Sequence, residues 1–132
     1  MTAGYSGTPL IKKLGIKEGF RLRLEHAPEQ YSDLLGPLPI GTEEAARECD
    51  FIHAFYKERA LFADEIESLM GAIKRDGMIW ISWPKKASKV PTDMTEDVVR
   101  EVALPLGLVD VKVCAVDEVW SGLKLVIRKE LR

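Results

Sequence analysis

Residues 77–93 read Gly-Met-Ile-Trp-Ile-Ser-Trp-Pro-Lys-Lys-Ala-Ser-Lys-Val-Pro-Thr-Asp, and this stretch decides the fold class. Residues 78–83 form a nearly uninterrupted apolar run between a glycine and Pro84. A short run of this kind, rich in Ile and Trp, is typical of a strand that is buried on both faces in the middle of a sheet. The polar, lysine-rich residues that follow it would lie at the carboxyl end of that strand. We therefore expect a central strand here and a functional site just beyond it.

The composition is that of one ordinary globular domain. The chain has 132 residues, of which 46% are hydrophobic and 30% are charged, and a chain of this length buries roughly two thirds of its unfolded surface. The formal net charge of -2 provides no overall attraction to nucleic acid or to anionic membranes, so any anion site must be local. The N-terminus lacks a signal-peptide pattern, and no apolar run approaches the ~20 residues of a membrane span. We expect a cytoplasmic protein of bacterial origin that does not bind membranes.

Strand and helix patterns alternate along the rest of the chain. Apolar runs and alternating patterns predict five strands, at residues 20–24, 50–56, 78–83, 109–116 and 123–128. Apolar stripes at helical spacing predict helices at residues 57–74 and between the candidate N-caps at 92–95 and Gly107. One helical turn is predicted at 10–14, and Pro28 is predicted to open a short helix that runs through 31–35. Residues 36–48 are assigned to a loop, and residues 117–122 to the turn of a C-terminal hairpin.

This succession resembles a reduced Rossmann-like fold of the class I methyltransferase type, whose sheet ends in an antiparallel hairpin. The resemblance implies an α/β domain with three parallel strands plus the hairpin, in the spatial order 1-2-3-5-4, with helices on both faces. Residues 19–132 would form this single domain, and residues 1–18 an N-terminal arm.

The first strand is not followed by the glycine-rich turn with which such enzymes bring S-adenosylmethionine close to the backbone. Residues 26–29 are His-Ala-Pro-Glu, and no G-x-G pattern stands at a suitable place. No acidic residue ends a second strand to hold a ribose. S-adenosylmethionine is therefore not expected as a cofactor, and the sequence points to no other.

Three strings resemble an uncharacterised bacterial family of small cytoplasmic proteins, a domain of unknown function. They are Gly-Tyr-Ser-Gly-Thr-Pro-Leu at residues 4–10 with Lys-Leu-Gly-Ile at 13–16, Trp-Ile-Ser-Trp-Pro-Lys-Lys at 80–86, and Val-Asp-Glu-Val-Trp-Ser-Gly-Leu-Lys at 116–124. The resemblance implies the fold described above. It brings no activity and no catalytic residues with it.

The first candidate ligand site follows the central strand, because ligands of open parallel sheets bind outside the carboxyl ends of the strands. Lysines beside an indole can hold a phosphate or carboxylate while the ring stacks on a flat group. The candidates there are Trp83, Lys85, Lys86 and Ser88. In the alternative interpretation Trp83 belongs to the core and the lysines to a solvated loop.

Two other segments supply further candidate binding residues. Trp120 lies where the hairpin turns, close in sequence to Lys124, and the alternative is that its ring packs back onto the sheet. Residues 4–8 of the N-terminal arm are small and polar and would close over one end of the sheet. Its candidate binding residues are Tyr5, Ser6 and Thr8.

Two histidines are the remaining candidates for chemistry. His26 lies at the carboxyl end of the first strand beside Glu29 and is the candidate general base. His53 lies inside an apolar strand and is predicted to be a hydrogen-bonded core residue. Cys114 alternates with apolar neighbours and is predicted to be unreactive. No spacing of His, Cys and carboxylates predicts a metal site.

These observations favour a non-catalytic module that binds a small ligand or regulates another protein. Its partner would be a small anionic molecule or a protein. One alternative is a diverged transferase that acts on a small anionic substrate, with His26 as its base. A second alternative, which the net charge does not favour, is a nucleic-acid-binding module that uses the lysine loop.

Overall fold

A computed structural model describes residues 8–132, which form one six-stranded sheet with helices packed on both faces. The strands are β1 (Arg21–Glu25), β2 (Glu43–Glu44), β3 (Cys49–Phe55), β4 (Ile73–Pro84), β5 (Leu108–Ala115) and β6 (Trp120–Ile127). The helices are α1 (Leu10–Leu14), α2 (Tyr31–Leu35), α3 (Arg59–Ala72) and α4 (Glu96–Ala103). Among residues 8–132, no helix has the length and apolar character that crossing a membrane requires.

The strand order is β2-β1-β3-β4-β6-β5. The first four of these strands are parallel to one another, and β6 pairs antiparallel with both β4 and β5. Without the two-residue β2, this is the order 1-2-3-5-4 of the predicted strands. The predicted α/β fold, with a parallel core and a C-terminal antiparallel hairpin, is confirmed.

The edge strand β2 is not predicted by the sequence pattern. The pattern predicts a loop at residues 36–48, but Glu43 and Glu44 pair with Arg21 and Leu22 of β1. Ala45 N also donates to the carbonyl of Leu22 at 2.8 Å. Two residues are too few to produce a periodic pattern. The sheet thus carries two acidic residues on a strand beside β1, which the sequence did not reveal.

The boundary between α3 and β4 also differs from the prediction. Residues 73 and 74 were assigned to the helix, but α3 ends at Ala72 and β4 begins at Ile73. Gly77 makes this possible, because a Cβ there would lie 2.7 Å from Ile73 Cγ1 and 2.9 Å from the carbonyl oxygen of Cys49. The pairing of β3 and β4 shifts register between Cys49 and Phe51. Gly77 therefore permits a close backbone approach within the strand.

The two faces of the sheet are covered by different helices. Alternate residues of β3 point to opposite faces, so Ile52 and Ala54 pack with α3 and α4. Phe51 packs on the other face with Leu14 of α1 and with Trp80 of β4. The indole Nε1 of Trp80 donates to the carbonyl of Leu14 at 2.9 Å, which fixes α1 on this face. The predicted helical turn at residues 10–14 is confirmed, and Gly15 closes it with φ 83°.

The hairpin turn is shorter than predicted. Strand β6 begins at Trp120, so residues 120–122 belong to the strand and not to the turn. Asp117 shapes the turn, since its Oδ1 accepts from the backbone N–H groups of Val119 at 2.8 Å and Trp120 at 2.7 Å. Gly122 therefore lies within β6 and not in the turn. A Cβ at this position would lie 3.2 Å from Ser82 Oγ, so a larger residue would crowd that hydroxyl.

Candidate functional site

The carboxyl ends of β1 and β3 mark the point where the chain changes direction across the sheet. From β1 the chain runs through α2 to the edge strand β2, and from β3 it runs through α3 to β4 on the other side. Helix α2 packs on the α1 face and α3 on the opposite face. Such a switch point opens a crevice beyond the strand ends, where ligands of open α/β sheets bind.

A cleft of about 550 Å³ occupies this position. We call it the strand-end cleft, and it is lined by His26, Pro28, Phe55, Lys57, Glu58, Leu61, Pro91 and Trp120. Its volume lies in the range of about 300 to 1,000 Å³ that small-molecule sites have. Polar residues that follow two neighbouring parallel strands, at 26–29 and 56–58, thus contribute to one cleft.

Two aromatic rings form the apolar part of the strand-end cleft. Phe55 and Trp120 meet edge to face, with ring centroids 5.1 Å apart and planes at 90°. Both are nearly buried, at 2% and 8% exposure, within a cluster that includes Tyr31 and Val116. The ring of Trp120 therefore packs onto the sheet, as in the alternative interpretation. It also lines the cleft.

Lys57 and Glu58 are charged residues that line the cleft. Hydrogen bonds with residues 92 and 93 fix the position of their backbone. The carbonyl of Lys57 accepts from Thr92 Oγ1 at 2.6 Å, and Asp93 Oδ1 accepts from the backbone N–H of Arg59 at 2.7 Å. The residues at 92 and 93 thus secure the start of α3, whereas Thr95 alone caps α4. Within residues 8–132, neither Lys57 nor Glu58 forms an ion pair.

His26 lies at the mouth of the cleft in a left-handed backbone conformation, with φ 57°. Its Nε2 is 2.9 Å from Glu65 Oε1, and the hydroxyl of Tyr56 donates to the same oxygen at 2.7 Å. Burial alone would raise the pKa of Glu65, but the hydrogen bonds from Tyr56 and His26 outweigh burial and lower it. The ionised Glu65 accepts a hydrogen bond from His26 Nε2, which fixes the orientation of the imidazole ring.

The partner of His26 is Glu65, which is 39 positions away, and not the neighbouring Glu29. No local sequence signal could have revealed this contact, since it depends on how α3 packs beside the end of β1. A carboxylate also orients the imidazole of the histidine base in Ser-His-Asp triads.

Glu25, His26 and Glu65 are the groups that could hold a metal ion in the described part of the chain, since their ligand atoms lie within 4.8 Å of one another. All three already have partners, however. Glu25 is paired with Arg23 at 2.8 Å, and Glu65 accepts from both Tyr56 and His26. A metal ion at this cluster would compete with these hydrogen bonds and ion pairs.

The lysine-rich loop after β4 lines a second, smaller cavity of about 310 Å³. Trp83 and Lys86 line it together with Thr92 and Thr95, and Trp83 is 6% exposed. Within the loop, Ser88 Oγ donates to the carbonyl of its neighbour Lys85 at 2.6 Å, so this hydroxyl shapes the loop.

The structure divides the predicted site residues among several places. The backbone N–H of Lys85 donates to the carbonyl of Val119 at 2.7 Å, which joins the lysine loop to the hairpin turn that precedes Trp120. Lys124 lies farther along β6, opposite Trp80. Thr8 is exposed. The other two arm candidates, Tyr5 and Ser6, lie outside the described residues.

His53 is a core residue, as predicted, and the structure reveals its two partners. The ring is fully buried, with Nδ1 2.8 Å from the hydroxyl of Tyr31 and Nε2 2.7 Å from Ser82 Oγ. Burial lowers the pKa of His53 from 6.5 to about 3, so the imidazole is neutral at physiological pH. The sequence indicated the histidine but not Tyr31 or Ser82, which come from α2 and β4.

Solved structures share the fold. A SAM-dependent methyltransferase from Aquifex aeolicus matches with a TM-score of 0.65 at 16% identity, over 89% of this chain and 87% of that chain. The DhpI-SAH complex matches with a TM-score of 0.60 at 12% identity, over 92% and 83%. Aeropyrum pernix fibrillarin with natively bound S-adenosyl-L-methionine matches with a TM-score of 0.56 at 14% identity, over 93% and 70%.

The class that these observations define is a methyltransferase-like α/β fold. At such identities the similarity concerns the fold and does not extend to activity. No protein-family model matches the chain, and the search of curated proteins found no match.

Proposed function

We propose that this protein is a non-catalytic module that binds a small molecule in the strand-end cleft. The ligand carries a flat or apolar group and an anionic group. The observation that carries the proposal is the composition of the cleft at the switch point of the sheet. There the rings of Phe55 and Trp120 lie beside Lys57, whose ammonium group has no ion pair within residues 8–132.

The apolar rings supply contact area for the flat group, and the lysine supplies a charge that fixes its orientation. The turn after β1 consists of His26, Ala27 and Pro28, so a ligand meets side chains there and not a bare glycine backbone. For this reason we expect a ligand other than the S-adenosylmethionine that binds to Aeropyrum pernix fibrillarin. Membership of the uncharacterised bacterial family that the sequence resembles stays a prediction.

A thermal-shift screen tests the proposal. The panel contains nucleotides, S-adenosylmethionine and its demethylated product, and small phosphorylated metabolites. A ligand at 100 times its dissociation constant stabilises the native state by about 2.7 kcal/mol. Lys57→Gln removes one charged contact and should weaken the binding of the best panel member about tenfold or more. Lys129→Gln, which removes the same charge near the C-terminus, should leave the binding unchanged.

A cleft-filling substitution separates volume from charge. Leu61→Trp places a bulky ring in the cleft and should abolish binding. Ile40→Trp introduces the same ring at a position that is 82% exposed and should leave binding unchanged. A panel without any stabilising compound would contradict the proposal. So would equal affinities for the Leu61→Trp and Ile40→Trp proteins.

The contact between His26 and Glu65 favours a second candidate function, a transferase in which His26 is the general base. If a member of the panel is converted to product, His26→Gln should lower the turnover rate by about 10²- to 10⁴-fold, while the affinity stays within a few fold. Glu29→Gln is the control, since Glu29 adjoins the turn but is not the partner of the imidazole. Unchanged turnover in the His26→Gln protein would contradict this role.

A further inference from the structure

Three lysines meet on the face of the sheet that α1 covers in part. Lys112 of β5 and Lys124 of β6 stand directly opposite each other in the antiparallel pair. Lys124 is also opposite Trp80 of β4, whose side chain packs on the α1 face. Cross-strand partners point to the same face, so both lysines lie there too. Lys17 follows α1 on this face and is near enough for its charge to act on Lys124. We call Lys17, Lys112 and Lys124 the lysine patch.

The charges of the lysine patch repel one another and are not compensated. Like charges directly opposite in a sheet are destabilising. In the described part of the chain, no carboxylate forms an ion pair with any of the three ammonium groups. Partial burial and the positive charges of Lys112 and Lys17 together lower the pKa of Lys124, which reflects this crowding.

One carboxylate of the same hairpin is paired, but on the opposite face of the sheet. Asp110 of β5 lies 2.9 Å from the guanidinium of Arg100 of α4, on the opposite face. The patch thus combines the partly buried Lys124 with two exposed lysines, and none of the three forms an ion pair within residues 8–132.

We infer that the lysine patch is a second binding site, for the phosphate groups of a ligand. Several ammonium groups on one face match the several charged oxygens of a phosphate or pyrophosphate, whereas a single carboxylate would neutralise only one of them. A bound phosphate would replace the repulsion between Lys112 and Lys124 by two attractions. The site shares no residue with the strand-end cleft, and the inference does not depend on the function proposed for that cleft.

Calorimetric titration of the whole chain with inorganic pyrophosphate at low ionic strength tests the inference. We expect Lys112→Gln and Lys124→Gln each to weaken binding at least tenfold. Lys129→Gln, which has the same charge change at an exposed position outside the patch, should bind as the unsubstituted protein does. An affinity for pyrophosphate that is unaffected by both patch substitutions would overturn the inference.

A second probe separates the two sources of such phosphates. A single-stranded oligonucleotide of 12 nucleotides should lose affinity with salt by a logarithmic slope of about 0.7 for each phosphate contacted. Lys112→Gln should then reduce that slope by about 0.7. Binding of pyrophosphate alone would identify a small phosphorylated ligand, and binding of the oligonucleotide alone would identify a nucleic-acid backbone. If neither probe binds to the unsubstituted protein, the inference is wrong.

The stability of the free protein provides an independent readout. Because Lys112→Gln removes a repulsion, its thermal midpoint without ligand should equal or exceed that of the unsubstituted protein, so a loss of pyrophosphate binding would not reflect misfolding. A lower midpoint would show that contacts within the chain already compensate Lys112, and would contradict the lysine patch as an unpaired cluster.

Discussion

Acidification below pH 6.5 should destabilise this protein much more steeply than it destabilises a His53→Gln variant. The imidazole is buried between Tyr31 and Ser82, and burial lowers its pKa from 6.5 to about 3. In the unfolded chain the same group takes up a proton near pH 6.5. Between these two values the unfolded state binds more protons than the folded state, so the free energy of unfolding falls as the pH falls.

The loss should be about 1.4 kcal/mol for each pH unit below 6.5, and about 4 to 5 kcal/mol over the whole window. A neutral glutamine at position 53 can still donate to one hydroxyl and accept from the other, but it does not titrate. Carboxylates such as Glu65 also lose stabilisation on acidification, but they are common to both proteins and cancel in the comparison. The variant should be less stable at pH 7 and should have the flatter pH dependence.

Urea unfolding at pH 7, 6, 5 and 4 measures this difference. His26→Gln is the matched control, because it removes the exposed histidine, retains His53 and should keep the steep loss. Parallel pH profiles for the unsubstituted and His53→Gln proteins would show that the buried imidazole is not the group that couples folding to pH.

Truncation of Trp80 should have the second large effect. Its side chain is fully buried between α1 and the sheet, and its Nε1 donates to the carbonyl of Leu14. Trp80→Ala should lower the free energy of unfolding by about 3 to 5 kcal/mol, because it creates a large cavity. Trp80→Phe keeps a ring but leaves the Leu14 carbonyl without its donor, which should cost about 1 to 3 kcal/mol.

Trp83→Phe is the control for the hydrogen bond. Trp83 lies on the other face with 6% exposure, and its indole forms no hydrogen bond within residues 8–132. Chemical denaturation should therefore show a smaller loss for Trp83→Phe than for Trp80→Phe. Equal losses would mean that the bond to Leu14 does not contribute to the docking of α1.

The central strand was predictable because burial on both faces leaves a strong local signal. Residues 79–84 are all buried, and the apolar run that predicted them lies between β3 and β6 as expected. The edge strand β2 left no such signal, and the pattern predicted the hairpin turn but not that it ends before Trp120. A two-residue strand has no period, and a turn held by one side chain depends on hydrogen bonds that the pattern of hydrophobicity does not encode.

The sequence predicted the position of the strand-end cleft, which follows from the order of the strands, but not the contacts between its side chains. The ends of β1 and β3 meet because parallel neighbours end at the same edge, but the contact of His26 with Glu65 depends on tertiary packing. The pairing of Lys112 with Lys124 depends on the register shift between Asp110 and Lys112. One extra residue in a strand moves every later side chain to the other face, and sequence alternation alone does not locate such a bulge.

The most direct test of the strand-end cleft is a map of backbone amide chemical shifts, recorded by NMR while the panel member with the largest thermal shift is added. The proposal predicts that the largest changes fall at residues 26–28, 55–58 and 120, and that they saturate at one ligand for each chain. Changes confined to other surfaces, such as the lysine patch, with the amides of the strand-end cleft unchanged, would contradict it.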